Sequence, residues 1–181
     1  PGFRLVRAAR QAGIRVNAVP GPCAAVAALS VAGLPCDRFV FEGFLPTKSQ
    51  ARRAHLRRLA NESRTLVCYE SAHRIVESCE DLRAVFGGRR EARLLRELTK
   101  LFETAIGDTL DAICARLEQD ADQRRGEFVI VIAGADAPDG DARIDEGRRV
   151  YALLREELPP AQAAKLAAAI SGAPRKALYE T

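Results

Sequence analysis

Apolar positions along this chain change period several times, and each change predicts an element. Leu5, Val6, Ala9 and Ala12 recur at helical spacing with Gly13 as a stop, which predicts a helix over residues 3–12. Ile14–Val19 reads as a short strand, Pro20-Gly21-Pro22 breaks it, and the small residues of Cys23–Ala32 read as a tightly packed helix closed by Gly33. Phe39–Phe41 predicts a second strand, Ser49 can cap a helix from Gln50 to Ala60, and Leu66–Tyr69 is an apolar strand. Ser71 can cap the next helix, which supplies Ile75, Val76, Leu82, Val85 and Phe86 to a core and ends at Gly87-Gly88. Arg93–Leu98 and Phe102–Ile106 carry strand patterns, and Asp108 can cap a helix with Leu110, Ile113, Cys114 and Leu117 on one side. Phe128–Ile132 is uninterrupted and apolar, which suits a strand buried on both faces.

After that strand the pattern changes. Residues 134–144, rich in Asp, Gly, Ala and Pro, read as a linker. Val150, Leu153, Leu154 and Leu158 then predict one helix, Pro159-Pro160 opens a second through Ile170, and Gly172 and Pro174 set off a third with Arg175, Lys176, Leu178 and Tyr179. Three short helices with a glycine-containing turn match helix-turn-helix geometry; a small bundle that only packs on the main domain is the alternative. The expected class is α/β with a small helical domain at its carboxyl end.

Composition narrows the function classes. With 181 residues, 48% of them hydrophobic, the chain can bury a substantial core. It starts at Pro1 and contains no methionine, so it reads as the carboxy-terminal part of a longer chain. No apolar run reaches the roughly 20 residues that span a bilayer, so a cytoplasmic protein without a membrane partner is expected. The five cysteines are scattered, lack C-x-x-C spacing, and read as reduced core thiols with no metal to hold. Net charge is only +4. It is concentrated, however: between Thr47 and Arg64 the cations Lys48, Arg52, Arg53, Arg57, Arg58 and Arg64 stand against Glu62 alone. That is a candidate nucleic-acid footprint, with a solvated helix face as the alternative. Arg53 and Arg57 share one face of the expected helix, and Leu56 and Leu59 point the other way.

The turn Pro20-Gly21-Pro22 before a helix offers backbone N–H groups to a carboxylate or phosphate, though most such turns only connect elements. Pro20-Gly21-Pro22-Cys23-Ala24 resembles the corresponding turn of the tetrapyrrole methylase superfamily. Four further blocks resemble one branch of it, the ribosomal RNA small-subunit methyltransferase I family. These are Phe41-Glu42-Gly43-Phe44-Leu45-Pro46 with Lys48, Tyr69-Glu70-Ser71-Ala72-His73-Arg74, Arg96-Glu97-Leu98-Thr99-Lys100 with Phe102-Glu103, and Arg125-Gly126-Glu127-Phe128-Val129. They occur in the family's order, and the similarity runs through the terminal helices.

The resemblance implies a two-domain tetrapyrrole-methylase-like fold with S-adenosylmethionine bound between the domains. Residues 1–35 would end the first, cofactor-binding domain, 36–134 would form the second, 135–144 the linker and 145–181 the helix-turn-helix-like domain. It further implies S-adenosylmethionine-dependent methylation of a ribose 2′-hydroxyl, on a cytidine of 16S ribosomal RNA in the assembled 30S subunit, with a homodimer among the expected assemblies. Gly21, Pro22, Cys23 and Ala24 would touch the cofactor from one side, with Tyr69, Leu98, Glu127 and Val129 on its adenosine side. Cys23 departs from the serine common in the superfamily, which leaves backbone contacts there. The family's glycine-rich loop and Asp-Ala-Gly segment have no counterpart in these residues.

A general base would assist attack by the hydroxyl. Glu70, Glu97 and Lys100 are the candidates, with Glu103 and His73 behind them, and an ion-pair or surface role is the alternative for each. Lys48, Arg52, Arg53, Arg57, Arg58 and Arg74 are the candidate RNA contacts, and by resemblance Arg175 and Lys176 would face nucleic acid from the terminal helices. Two rival functions remain: a corrinoid or sirohaem-pathway methylase, which has no use for the basic helix, and a helix-turn-helix regulator, for which the last helix offers few base-reading side chains.

Overall fold

The uninterrupted apolar run is the centre of a five-stranded sheet, in a computed structural model that describes residues 2–136 and 140–178. The elements are α1 (Phe3–Gln11), α2 (Ala24–Ala32), β1 (Phe39–Phe44), α3 (Ser49–Leu59), β2 (Thr65–Ser71), α4 (Ile75–Phe86), β3 (Ala92–Arg96), β4 (Thr104–Ile106), α5 (Leu110–Gln119), β5 (Glu127–Ile132), α6 (Gly140–Leu154) and α7 (Pro160–Ser171), with short 3-10 turns at Ala121–Arg124 and Arg175–Leu178. Strand order is β1-β2-β5-β3-β4. β1 runs parallel to β2, the pair being joined through α3, and the other pairings are antiparallel.

β5 is buried along Phe128–Ile132 because both faces of the sheet are covered. Val129 and Val131 join Val67 and Leu95 under α2, whose Ala25, Ala28, Leu29 and Ala32 let the helix approach closely. Alternation turns Phe128, Ile130 and Ile132 to the opposite face, where α4 and α5 pack with Ile75, Cys79, Leu82, Leu110, Ile113 and Leu117. Truncating such a leucine to alanine costs about 2–5 kcal/mol. Gly33 ends α2 at φ 68°, the left-handed stop expected of it.

Contacts divide the chain into two compact units: residues 1–57 with 65–133, and residues 58–64 with 134–181. Within the second, α6, α7 and the last 3-10 turn pack around Ala167, Ala173 and Leu178.

Several local expectations are corrected. Ile14–Val19 forms no strand, since no other strand among the described residues lies beside it to complete a ladder. Ser49 starts α3 rather than capping it, because its hydroxyl donates to Asp81. Ser71 closes β2, and the residue before α4 is Arg74, without a side-chain cap. Thr109, not Asp108, caps α5 by accepting the Ala112 N–H at 3.2 Å. Val76, Val85 and Phe86 are half-buried. The expected linker overlaps α6, which begins at Gly140, and residues 137–139 lie outside the described part. Leu158 falls after α6, and the expected third helix is the 3-10 turn; Tyr179 lies outside the described residues.

Candidate functional site

A bulge in β1 shapes the site. Register with β2 slips between Phe41 and Gly43, and Gly43 takes φ 64°. In a regular strand Phe41 and Phe44 would point to opposite faces. The extra residue turns both toward Tyr69, with ring centroids 5.0 Å and 5.8 Å away in edge-on contact. Tyr69 thereby becomes part of an aromatic wall at the end of β2. The cleft in front of it, about 580 Å³, is lined by Ala24, Phe44, Leu95, Leu98 and Val129 as its apolar side and by Glu70, His73 and Glu127 among its polar side chains.

The same phenol holds α2. The residue before the helix, Cys23, offers no side-chain cap, and the Tyr69 hydroxyl accepts the Ala25 N–H at 3.1 Å. Amides of Val26 and Ala25, together with that hydroxyl, hold the Cys23 thiol below its usual range despite some desolvation. Of the eight residues expected to touch a cofactor, Ala24, Tyr69, Leu98, Glu127 and Val129 line this cleft. Gly21, Pro22 and Cys23 lie in the exposed irregular segment before α2. Gly21 is not in the left-handed region, and a side chain there would meet nothing within 4 Å.

The Arg96–Lys100 block makes a strained turn at the edge of the cleft. Glu97 and Thr99 take positive φ of 52° and 65°, costly for residues with a Cβ and more so for a β-branched one. An ion network holds them. The Glu97 carboxylate accepts the Glu127 N–H at 2.8 Å and the Lys100 ammonium at 2.9 Å, and Lys100 reaches the Glu127 carboxylate at 2.9 Å. Gly126 has to be glycine: its φ is 106°, and a Cβ would meet the Glu97 side chain at 2.6 Å. Lys100 and the Glu127 amide keep Glu97 below the usual carboxylate range, while Glu127 and Glu97 raise Lys100 above that of a free lysine. At neutral pH the two are an ion pair, so neither is poised to take a proton.

Glu70 is similarly committed. Its carboxylate is buried and accepts from the Ser71 N–H at 2.7 Å and the Ser78 hydroxyl at 2.7 Å, and it pairs with Arg74 at 2.7 Å. The geometry gives it a structural role and not that of a base. His73 is exposed and lines the cleft; Glu103 accepts the Thr99 N–H at 2.6 Å and belongs to the turn.

The basic segment divides in two. Lys48, Arg53, Arg57 and Arg58 are exposed, with Leu56 turned inward as expected. Arg52 is fully buried, one turn before Leu56 on the inward face, and pairs with Asp81 at 2.7 Å, so it cannot meet a nucleic acid. Arg53 also pairs with Asp81, and Arg74 is largely covered. Arg175 donates to the Ala161 carbonyl at 3.0 Å, and Lys176 is exposed. Asp81, Gly126 and the contact of both Phe41 and Phe44 with Tyr69 are the parts that pattern reading missed; the Phe-Glu-Gly-Phe spacing was the available signal for the last.

Comparison with known proteins follows this division. The Tetrapyrrole (Corrin/Porphyrin) Methylases family model matches residues 1–114, and the RsmI C-terminal HTH domain model matches residues 141–181. A protein of Xylella fastidiosa (strain 9a5c) named "Ribosomal RNA small subunit methyltransferase I" is 61% identical over 179 residues, 99% of this chain and 65% of the relative. One of the same name from Pseudomonas aeruginosa is 51% identical over 181 residues, 99% of this chain and 64% of the relative. The chain thus spans about 65% of the length of such relatives. Among solved structures, a cobalt precorrin-4 methyltransferase of cobalamin biosynthesis matches with a TM-score of 0.51 at 12% identity, over 73% of this chain and 57% of that one. At that identity the likeness concerns the fold alone. The first family model takes in more than half of the chain, from α1 through the aromatic wall to the first half of α5, and the chain belongs to the tetrapyrrole (corrin/porphyrin) methylase family.

Proposed function

We propose that the protein carrying this chain methylates the ribose 2′-hydroxyl of a cytidine in 16S ribosomal RNA, with S-adenosylmethionine as donor, in the cytoplasm and on the assembled 30S subunit. The observation that carries this reading is the 61% identity, along 99% of the chain, to a relative named as a small-subunit ribosomal RNA methyltransferase. The ribose oxygen, the cytidine and the donor come from the resemblance of the five sequence blocks.

The cleft suits such a donor. Tyr69, Leu95, Leu98 and Val129 present an apolar wall for a nucleoside, and Ala24 at the start of α2 leaves space beside it. S-adenosylmethionine supplies a methyl group activated by sulfonium charge. The chain's own contribution is then placement of the ribose. Lys100, kept cationic, and Glu127, exposed at the cleft, are assigned to orient ribose and phosphate oxygens, and Glu97 holds Lys100 in place. His73 is the remaining candidate base. Lys48, Arg57 and Arg58 are assigned to the RNA backbone, with Arg53 at its margin and Lys176 in the helical domain, whereas Arg74, largely covered and engaged by Glu70 and Leu45, is assigned to support. Residues 1–35 are assigned to the end of a cofactor-binding domain, 36–134 to the second domain and 145–181 to an RNA-facing one. A homodimer completes the proposal, with Phe39 and Phe41 on the edge strand β1 as exposed apolar surface.

The test is incubation of the full-length protein with methyl-labelled donor and small ribosomal subunits that lack the modification. Label in RNA at one alkali-resistant position is expected, since a methylated 2′-oxygen cannot attack the neighbouring phosphate. Label confined to a tetrapyrrole substrate would overturn the reading.

A further inference from the structure

The loop between β1 and α3 has three carbonyls in succession, Leu45 to Thr47, that are satisfied by the guanidiniums of two arginines. The Leu45 carbonyl accepts Arg74 Nη1 at 3.2 Å, and those of Pro46 and Thr47 accept Arg52 Nη1, each at 3.2 Å. The next carbonyl, of Lys48, already belongs to the helix and accepts the Arg52 backbone N–H at 2.9 Å. Each guanidinium is in turn held by a buried carboxylate. Arg52 Nε donates to Asp81 at 2.7 Å, and its Nη2 lies 3.0 Å from Glu77. Asp81 also accepts from Ser49 and Arg53. Arg74 Nη2 lies 2.7 Å from Glu70, which Ser78 and the Ser71 amide fix from behind.

Stability alone does not explain this arrangement, because well-packed apolar residues commonly equal or exceed a buried ion pair. A planar fork that binds a carboxylate on one edge and carbonyls on another fixes direction, which a lysine cannot reproduce. What the forks fix is also specific. The loop runs from Phe44, in the cleft wall, to Lys48 at the start of the basic helix. We propose that Arg52 and Arg74 are positioning residues: backed by Asp81 and Glu70, they hold Leu45–Lys48 rigid, so that RNA gripped by the basic helix is presented to the cleft at a set distance. This rests on the RNA-methylating function proposed above. Loosening the loop leaves the donor's apolar wall intact but misplaces the ribose, and misplacement by about 1 Å costs on the order of 100-fold in rate.

Arg74→Lys and Arg52→Lys, each keeping its charge, test this in the full-length protein. The expected result is donor affinity within about twofold of wild type, kcat on small subunits reduced at least about tenfold with a smaller change in KM, and faster amide exchange confined to Leu45, Thr47 and Lys48. Arg74 retains some exposure, so its variant should fold even if the Arg52 variant does not. Unchanged loop exchange, retained kcat, or a loss of kcat that only follows the folded fraction or the donor affinity overturns the proposal. A wild-type protein that methylates no small-subunit RNA defeats the functional reading instead, and the exchange measurement still decides whether the guanidiniums hold the loop.

Discussion

Tyr69 does two things at once: its ring walls the cleft and its hydroxyl takes up an N–H that α2 leaves open. Tyr69→Phe keeps the wall and removes the acceptor, so it should cost about 1 kcal/mol in urea denaturation. An unshifted midpoint would mean that solvent caps α2 equally well. The thiols offer a second check. Cys23 and Cys36 are exposed, whereas Cys68, Cys79 and Cys114 are buried. Amides at the start of α2 lower Cys23, while burial pushes Cys68 up to about 12 and Cys79 well above its ordinary value. A thiol reagent at neutral pH should therefore modify Cys23 fastest and Cys36 next, and reach the other three only on unfolding. Rapid modification of Cys68 in the native chain would contradict a β2 covered on both faces.

At the scale of elements, α3 has one face that anchors and one that is exposed. Burial would raise Asp81, but hydrogen bonds from Arg53, Ser49 and Arg52 outweigh it and leave the carboxyl below its usual range. A depressed carboxyl contributes stability above its unfolded value, about 3.9, and that contribution is lost as pH falls through the folded value. Wild type should weaken on acidification below about pH 4, whereas Asp81→Asn should be about 3 kcal/mol less stable near neutrality with a flatter acid limb. Thermal melts across the acid range check both; parallel curves would show that Asp81 is not the titrating anchor. Among the exposed cations, Lys48, just before α3, and Arg57, on its outer face, are the suitable pair to replace by glutamine, because Arg53 is partly occupied by Asp81. The double variant should bind small subunits more weakly, with a log–log salt slope shallower by roughly 0.7 for each phosphate of single-stranded RNA that is no longer neutralised. Equal slopes would make the basic face a solvated surface only.

For the whole molecule, length matters more than any residue. The chain spans about 65% of its relatives, and Phe3, Leu5, Val6, Ile14 and Val19 stand exposed before α2. Calorimetric titration should find S-adenosylmethionine bound at least about tenfold more tightly by a protein of the relatives' length than by these 181 residues, because a ligand closed in on more sides loses more water-exposed apolar surface. Equal affinity would place the complete cradle within the present chain.

What the sequence determined by itself was whatever depends on near neighbours. The periods that predict α2, α4, α5 and β5, the Gly33 stop and the shift to helices after residue 134 are local, and the five ordered blocks identified the family without any pairing being known. Tertiary structure decided whatever needs a distant partner. Ile14–Val19 has strand character but no strand to pair with among the described residues. Arg52 and Arg53 are adjacent and chemically identical, yet helix rotation and Asp81, far along the chain, bury one and leave the other half outside. Glu97, Lys100 and Glu70 looked alike as candidate bases, and only their hydrogen-bond partners distinguish an ion pair at the cleft from a buried support. Periodicity reports which side of an element faces inward; it carries no information about what is waiting there, and that is what sets charge state, exposure and role.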